Sequence, residues 1–286
     1  MFRPLRLPPL ASRVSLSVSF ALCCCYHCSF SPQLNPFPDF ADATAEATQV
    51  ERVLTAARKA GTVDTVVLST STLAETHLDW LADGANYPKP LQTLGKSKYL
   101  AEEALRSDKG QWLKHTTILR PPWLTYNFTS PSGRLHFPEW WTEGVLKTSI
   151  LPDVPLAQLD AGDVGRVAAK VLLAPEAYAG LELKLAVASL SLQEVFHAIG
   201  EITGTELKAE WVDPKTLLAE PAKGKAVDIF GRLRGGIGWS CNVKSSVLAE
   251  EEFEKQKVFG VELTPVKQSL ENLRSELLVH FRGGVA

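Results

Sequence analysis

Val63-Asp64-Thr65-Val66-Val67-Leu68-Ser69 is the stretch on which the fold turns. It is short, rich in β-branched residues and carries one charge, the pattern of a strand buried on both faces. Directly before it, Ala47, Val50, Val53, Leu54 and Ala57 recur at helical spacing, and Gly61 stands where a helix-ending glycine belongs. Directly after it, Ser69, Thr70, Ser71 and Thr72 form a polar loop, and Pro88 and Pro90 interrupt the next stretch. A second helix is expected over about Leu94 to Arg106, with Leu100, Ala101, Ala104 and Leu105 on its apolar side. Thr116-Thr117-Ile118-Leu119-Arg120 then reads as a strand stopped by Pro121 and Pro122. Helix, strand, helix, strand is the order of a parallel α/β sheet.

Past Pro131 the rhythm changes. His136, Phe137, Trp140 and Trp141 mark an aromatic, irregular stretch that runs to Pro152 and Pro155. A helix is expected from about Gly162 to Leu173, and the alternation from Leu181 to Val187 reads as a strand. Ser191-Leu192-Gln193-Glu194 is a capping box opening a helix that ends at Gly204. A last helix is expected with Thr264 as cap, Pro265 at its first position, and Leu270, Leu273 and Leu277 on one face.

The 286 residues are 45% hydrophobic and 22% charged, with a net charge of -2. This is ordinary for a globular chain, and it lacks the concentrated basic surface of a direct nucleic-acid binder. No apolar run reaches the roughly 18 residues of a membrane span. The first residues differ from the rest. Met1 to Pro38 holds no acid, carries Arg3, Arg6 and Arg13, and includes four of the five cysteines. Val14 to Cys25 resembles the apolar part of a signal or transit peptide. Residues 1–40 are expected to be a disordered or non-native leader, signal- or transit-like. Cys25 to Cys28 matches C-x-x-C but lacks the flanking strand and helix of a redox motif, and no second ligand pair follows for zinc. Cys241 stands alone, which suits a reducing compartment, cytoplasmic or nuclear.

Three segments together resemble the NmrA-like family, an atypical branch of the short-chain dehydrogenase superfamily. They are Ala56-Ala57-Arg58-Lys59-Ala60-Gly61 with the strand to Ser69; Lys98, Glu102 and Glu103 followed by Thr117-Ile118-Leu119-Arg120-Pro121 and Asn127-Phe128; and Asp160-Ala161-Gly162-Asp163-Val164-Gly165. The tail from Phe259 to Thr264 fits as well. The resemblance implies an α/β, Rossmann-like, doubly wound parallel domain that is incomplete here, over residues 41–130. A smaller α+β region for a substrate or partner would occupy 131–286. It implies NAD(P) as cofactor, with Ser69, Thr70, Lys98, Pro121 and Asn127 at its nicotinamide end. Lys98 is the one candidate for catalysis. Read without the resemblance, Lys98 and Glu102 are an i,i+4 surface pair.

The sequence departs from the family in two places. The phosphate-binding turn needs closely spaced glycines, and no glycine precedes Gly61. Gly235, Gly236 and Gly238 cluster later, in the wrong setting. The expectation is therefore a chain truncated at its front, impaired in cofactor binding, whose strand Val63 to Ser69 becomes a sheet edge. The superfamily's Tyr-x-x-x-Lys is also missing: Leu94 stands four residues before Lys98, Tyr99 points elsewhere on the helix, and Tyr87 lies in a proline-rich loop. The resemblance then implies a redox-sensing regulator with a transcription-factor-like protein partner rather than an enzyme. The alternative is an atypical NAD(P)-dependent oxidoreductase or isomerase resembling the isoflavone-reductase group.

Overall fold

From Thr65 to Ser69 every side chain is buried, as a strand covered on both faces requires. The computed structural model describes residues 19–20, 32–36, 38–39, 42–75, 77, 89–108, 112–129, 132–219, 234–238, 241 and 250–282. The readings made for Cys25–Cys28, Tyr87 and Pro88, and that for Val14–Cys25 apart from Ser19 and Phe20, lie outside these residues. Strands β1 (Ser19–Phe20) and β2 (Pro32–Leu34) precede helix α1 (Ala45–Ala60) and strand β3 (Thr65–Ser69). Helix α2 (Lys89–Asp108) leads to β4 (His115–Arg120) and β5 (Trp123–Leu124). A 3-10 turn, Thr125–Phe128, and two short helical pieces separate these from β6 (Val145–Thr148) and β7 (Pro155–Leu159). Then come α3 (Ala161–Leu173), β8 (Glu182–Lys184), β9 (Ala188–Ser191), α4 (Leu192–Thr203) and β10 (Lys208–Trp211). Helices α5 (Val266–Asn272) and α6 (Arg274–Arg282) are the last described.

The main sheet has the order β1-β2-β3-β4-β8. Strands β2, β3, β4 and β8 run parallel and β1 is antiparallel to β2. Alternation along β3 distributes its residues between two cores. Val66 and Leu68 join Leu34, Val50, Leu54, Ala101, Leu105 and Ile118 beneath α1 and α2. Val67 joins Leu119, Val164, Val167 and Val171 beneath α3. Helices therefore cover both faces, and each fully buried aliphatic side chain contributes about 1.5–3 kcal/mol.

The expected edge at β3 is not observed. Gln33 pairs with Val67 and Leu34 with Leu68, so β3 has a parallel neighbour on each side. Leu34, 4% exposed, supplies the apolar contact that holds β2 in place. Three residues beginning with proline carry too little periodicity to read as a strand. The sheet thus takes in residues from the stretch read as a leader.

Local signals set the helix ends. Gly61 ends α1 at φ +68°, a left-handed conformation that costs glycine little, and its N–H reaches the Ala57 carbonyl. Pro90, expected to interrupt the chain, falls in the first turn of α2, where a missing N–H leaves no bond unmade. Ser191 and Glu194 form the expected reciprocal box at α4, which ends at Gly204. The last expected helix, through Leu270, Leu273 and Leu277, is two helices, α5 and α6, and the start of α5 differs from expectation. Pro265 is its cap residue, and the Thr264 N–H and hydroxyl both go to the Asp163 carboxylate, at 2.7 and 3.0 Å.

The remaining strands form two small sheets, β5-β7-β9 and β10-β6. Of the strands past Pro131 the sequence pattern identified only β8, because runs of three to five residues in mixed environments show little period. Their common core is aromatic. Phe128 and Phe137 stack with centroids 5.6 Å apart, and Phe196 meets both edge-on. Leu146, Ile150, Val195, Ile199 and Leu270 complete it.

Candidate functional site

The carboxyl ends of β3 and β4 lie side by side. The Thr70 N–H donates to the Leu119 carbonyl at 3.0 Å, and the Thr72 N–H to the Pro121 carbonyl at 3.2 Å. Ser69, Thr70 and Pro121 are thereby brought together, and all three are buried. Asn127 sits half-buried in the 3-10 turn that follows.

The side chains at this end answer to one another. The Thr70 hydroxyl donates to Glu102 Oε1 at 2.6 Å. Arg120 places its Nε and Nη2 on the two oxygens of Glu102, at 2.9 and 2.7 Å, in the bidentate geometry that suits a guanidinium. Both residues are almost fully buried, at 4% and 1% exposure. Arg120 also donates to Glu75 and Glu182, Arg106 to Glu102, Glu103 and Glu182, and Lys184 to Glu75. Hydrogen bonds from Arg106 above all, and from Arg120, hold the Glu182 carboxyl down at about 2. This cluster ties α2, β4, β8 and the segment after β3 into one unit. Glu102 and Arg120, separate elements of the sequence resemblance, are a single structural device.

Lys98 lies one turn before Glu102 and faces another partner. Its Nζ is 2.5 Å from Glu46 Oε1 on α1, and both residues are buried. The second oxygen, Glu46 Oε2, is buried without a hydrogen-bond partner, as is the Ser97 hydroxyl. An orphaned buried acceptor costs about 1–3 kcal/mol. Lys98 is thus neither the solvated surface lysine nor half of a Lys98–Glu102 pair. Tyr99 points away from it, as the helix geometry requires, and its ring lies 5.4 Å from that of His77.

The polar groups that the resemblance places at a nicotinamide end are held by protein partners: Glu46 binds the Lys98 ammonium and Glu102 takes the Thr70 hydroxyl. Among the described residues no group of three His, Cys, Asp or Glu side chains could hold a metal ion. No helix among them is long and apolar enough to cross a membrane.

Sequence reasoning missed two histidines. His77 is 3% exposed with Nδ1 unpartnered, and burial, then Lys96, lowers its pKa. His136 packs 4.7 Å from Trp123, and burial, then Arg234, pushes it down to about 4, so it is neutral at physiological pH. Arg234 itself forks onto Glu139 at 3.1 and 2.9 Å and donates to the Lys147 carbonyl. The cavity between these groups is only about 10 Å³, room for a single water. Neither histidine has a sequence neighbour that marks it; only the tertiary packing does.

The third motif is structural too. Asp160 caps α3 through the Gly162 N–H and accepts the Ser269 hydroxyl, while Asp163, fully buried, holds Thr264 and Arg166. Its two carboxylates fasten the tail to the sheet. Gly238, from the late glycine cluster, has a packing role: a Cβ there would come within 2.0 Å of Ser149 Oγ.

A parallel sheet wound on both faces, with these motifs at these strand ends, coincides with a family model described as NmrA-like over residues 34–255. The chain belongs to the NmrA-like family. No curated protein sequence matches this NmrA-like chain. Among solved structures, it is similar to the negative transcriptional regulator NmrA in complex with NAD, with 16% identity and TM-score 0.58, covering 84% of this chain and 72% of that one. The triphenylmethane reductase of Citrobacter sp. complexed with NADP(H) gives 18% identity and TM-score 0.58, covering 85% and 75%. A nucleoside-diphosphate-sugar epimerase from Staphylococcus aureus gives 17% and 0.60, covering 84% and 76%. At such identities the likeness establishes the fold, which is the Rossmann-like α/β fold of NmrA-like proteins, and leaves activity open.

Proposed function

We propose that this chain is a regulatory member of the NmrA-like family, a redox-sensing type of protein that acts through a transcription-factor-like partner and performs no hydride transfer. The observation that carries this reading is the occupancy of Lys98. Its ammonium is bound by the buried Glu46 carboxylate, and Leu94 stands where a proton-donating phenol would be needed. Standard chemistry in this superfamily requires that phenol and a lysine available to lower its pKa. NAD(P) remains the cofactor class of the family, and the 286-residue chain is proposed to bind it poorly for want of a glycine-rich turn. The lone Cys241 of the body supports a reducing location, cytoplasmic or nuclear.

Nicotinamide fluorescence and titration calorimetry test the reading. The expected result is no saturable NADH or NADPH binding in the micromolar range and no oxidation of NADPH by a quinone. Saturable micromolar binding would remove the impaired-binding part. Turnover would replace the regulator by the alternative, an atypical oxidoreductase.

A further inference from the structure

An open groove of about 1000 Å³ runs between helix α4 and one face of β10, against the aromatic core. Successive residues of a strand point to opposite faces, so Leu207, Ala209 and Trp211 share one side and line the groove. Phe196, from α4, lines it as well. Trp211 is 37% exposed, a large aromatic ring left in water. Exposed aromatics in a groove are the anchors on which protein interfaces concentrate their energy.

The rim is acidic. Asp153, Glu194, Glu201 and Glu206 line the groove, with His197 3.4 Å from Glu201, and no lysine or arginine does. Two of these acids are already in use. Glu194 belongs to the capping box of α4, and Glu201 takes the Lys267 ammonium at 3.2 Å. Asp153 and Glu206 have no hydrogen-bond or ion-pair partner among the described residues, and both are exposed. A phosphate backbone or an anionic lipid surface would be repelled here. A chain that pairs apolar side chains with cations is matched on both counts.

We propose that this groove docks a basic amphipathic segment of a protein partner, with an apolar side chain against Trp211 and Leu207 and lysine or arginine on Asp153 and Glu206. The proposal deepens the regulator reading, on which it rests for the existence of a protein partner. The groove is formed by residues separate from those at the sheet's carboxyl end.

The test is fluorescence anisotropy of the full chain with a labelled amphipathic peptide of leucine and arginine, against a peptide of leucine and glutamate. Saturable binding of the basic peptide is expected, with none of the acidic one. Trp211→Ala, or the pair Asp153→Lys and Glu206→Lys, should weaken it about tenfold or more, corresponding to the loss of one anchor. These positions are exposed, and thermal melting checks that each variant keeps the fold. Equal binding of both peptides, or variants that bind like the parent, would overturn the proposal. So would a dimer in light scattering that Trp211→Ala dissolves, since a second copy would then be the occupant. NADPH titration of the same samples reports on the regulator reading separately: peptide binding alongside NADPH turnover would keep the groove and discard the regulator.

Discussion

The two buried centres of this molecule are held by different forces. At the carboxyl end of the main sheet, Arg120, Arg106 and Lys184 are interlocked with Glu75, Glu102, Glu103 and Glu182. Under α4, Phe128, Phe137, Phe196, Leu146 and Ile199 pack with scarcely a polar atom among them. The first is directional and depends on every partner being present, since an unpaired buried charge costs more than a pair contributes. The second is additive and loses stability by the volume removed. Charge networks demand particular residues at particular positions, whereas an apolar core accepts any set of about the right size and shape.

The sharpest way to break this contrast is Arg120→Met. It takes the buried guanidinium away from Glu102, Glu182 and Glu75, leaving Arg106 as the remaining cation on Glu102 and Glu182, and a loss of about 3 kcal/mol is expected in urea unfolding. Pairing it with Glu102→Leu should recover part of that loss, whereas a purely steric role for Arg120 would make the two losses add. In the apolar centre Leu146→Ala, at a fully buried position, should cost about 2–4 kcal/mol whatever the salt concentration. A salt-dependent cost there would undo the distinction.

Acid should separate the two centres in order. His136 titrates at 6.5 when unfolded and at about 4 when folded, so the unfolded state binds the proton first. Its contribution is complete above pH 6.5 and is lost as pH falls toward 4, at most about 3 kcal/mol. Glu182 has a folded value of about 2 against 4.5, so its contribution is complete above pH 4.5 and is lost as pH falls toward 2. Being partly exposed, it contributes about 1 kcal/mol after solvent screening. Melting temperature should therefore drop first between pH 6.5 and 4 and again below 4.5. His136→Phe should flatten the first decline and Glu182→Gln the second; a first decline unchanged in His136→Phe would assign it elsewhere. The smallest effect is expected from Ser191→Ala, which removes the cap of α4 at about 1 kcal/mol and leaves the ionic cluster untouched. Thermal melts at neutral pH would measure it.

Much of the sheet half was legible in the chain. Val66, Val67 and Leu68 announce a doubly covered strand, Gly61 and the Ser191–Glu194 box mark helix ends, and Glu102 and Arg120 recur at a recognisable spacing. The candidate site was legible only as a set of positions. Ser69, Thr70 and Pro121 do meet, yet nothing local to Lys98 says that Glu46 will face it from α1.

What the sequence by itself determined is the class of the fold, because hydrophobic period and helix-end chemistry act within a few residues and need no distant partner. What only the tertiary structure decided is who pairs with whom. Leu34 completes the sheet beside Leu68, Asp163 holds Thr264 instead of leaving it to cap a helix, and Glu46 holds Lys98. Each of these links joins residues far apart in the chain. Its strength comes from desolvation inside a packed interior, a quantity that has no value until the fold has formed.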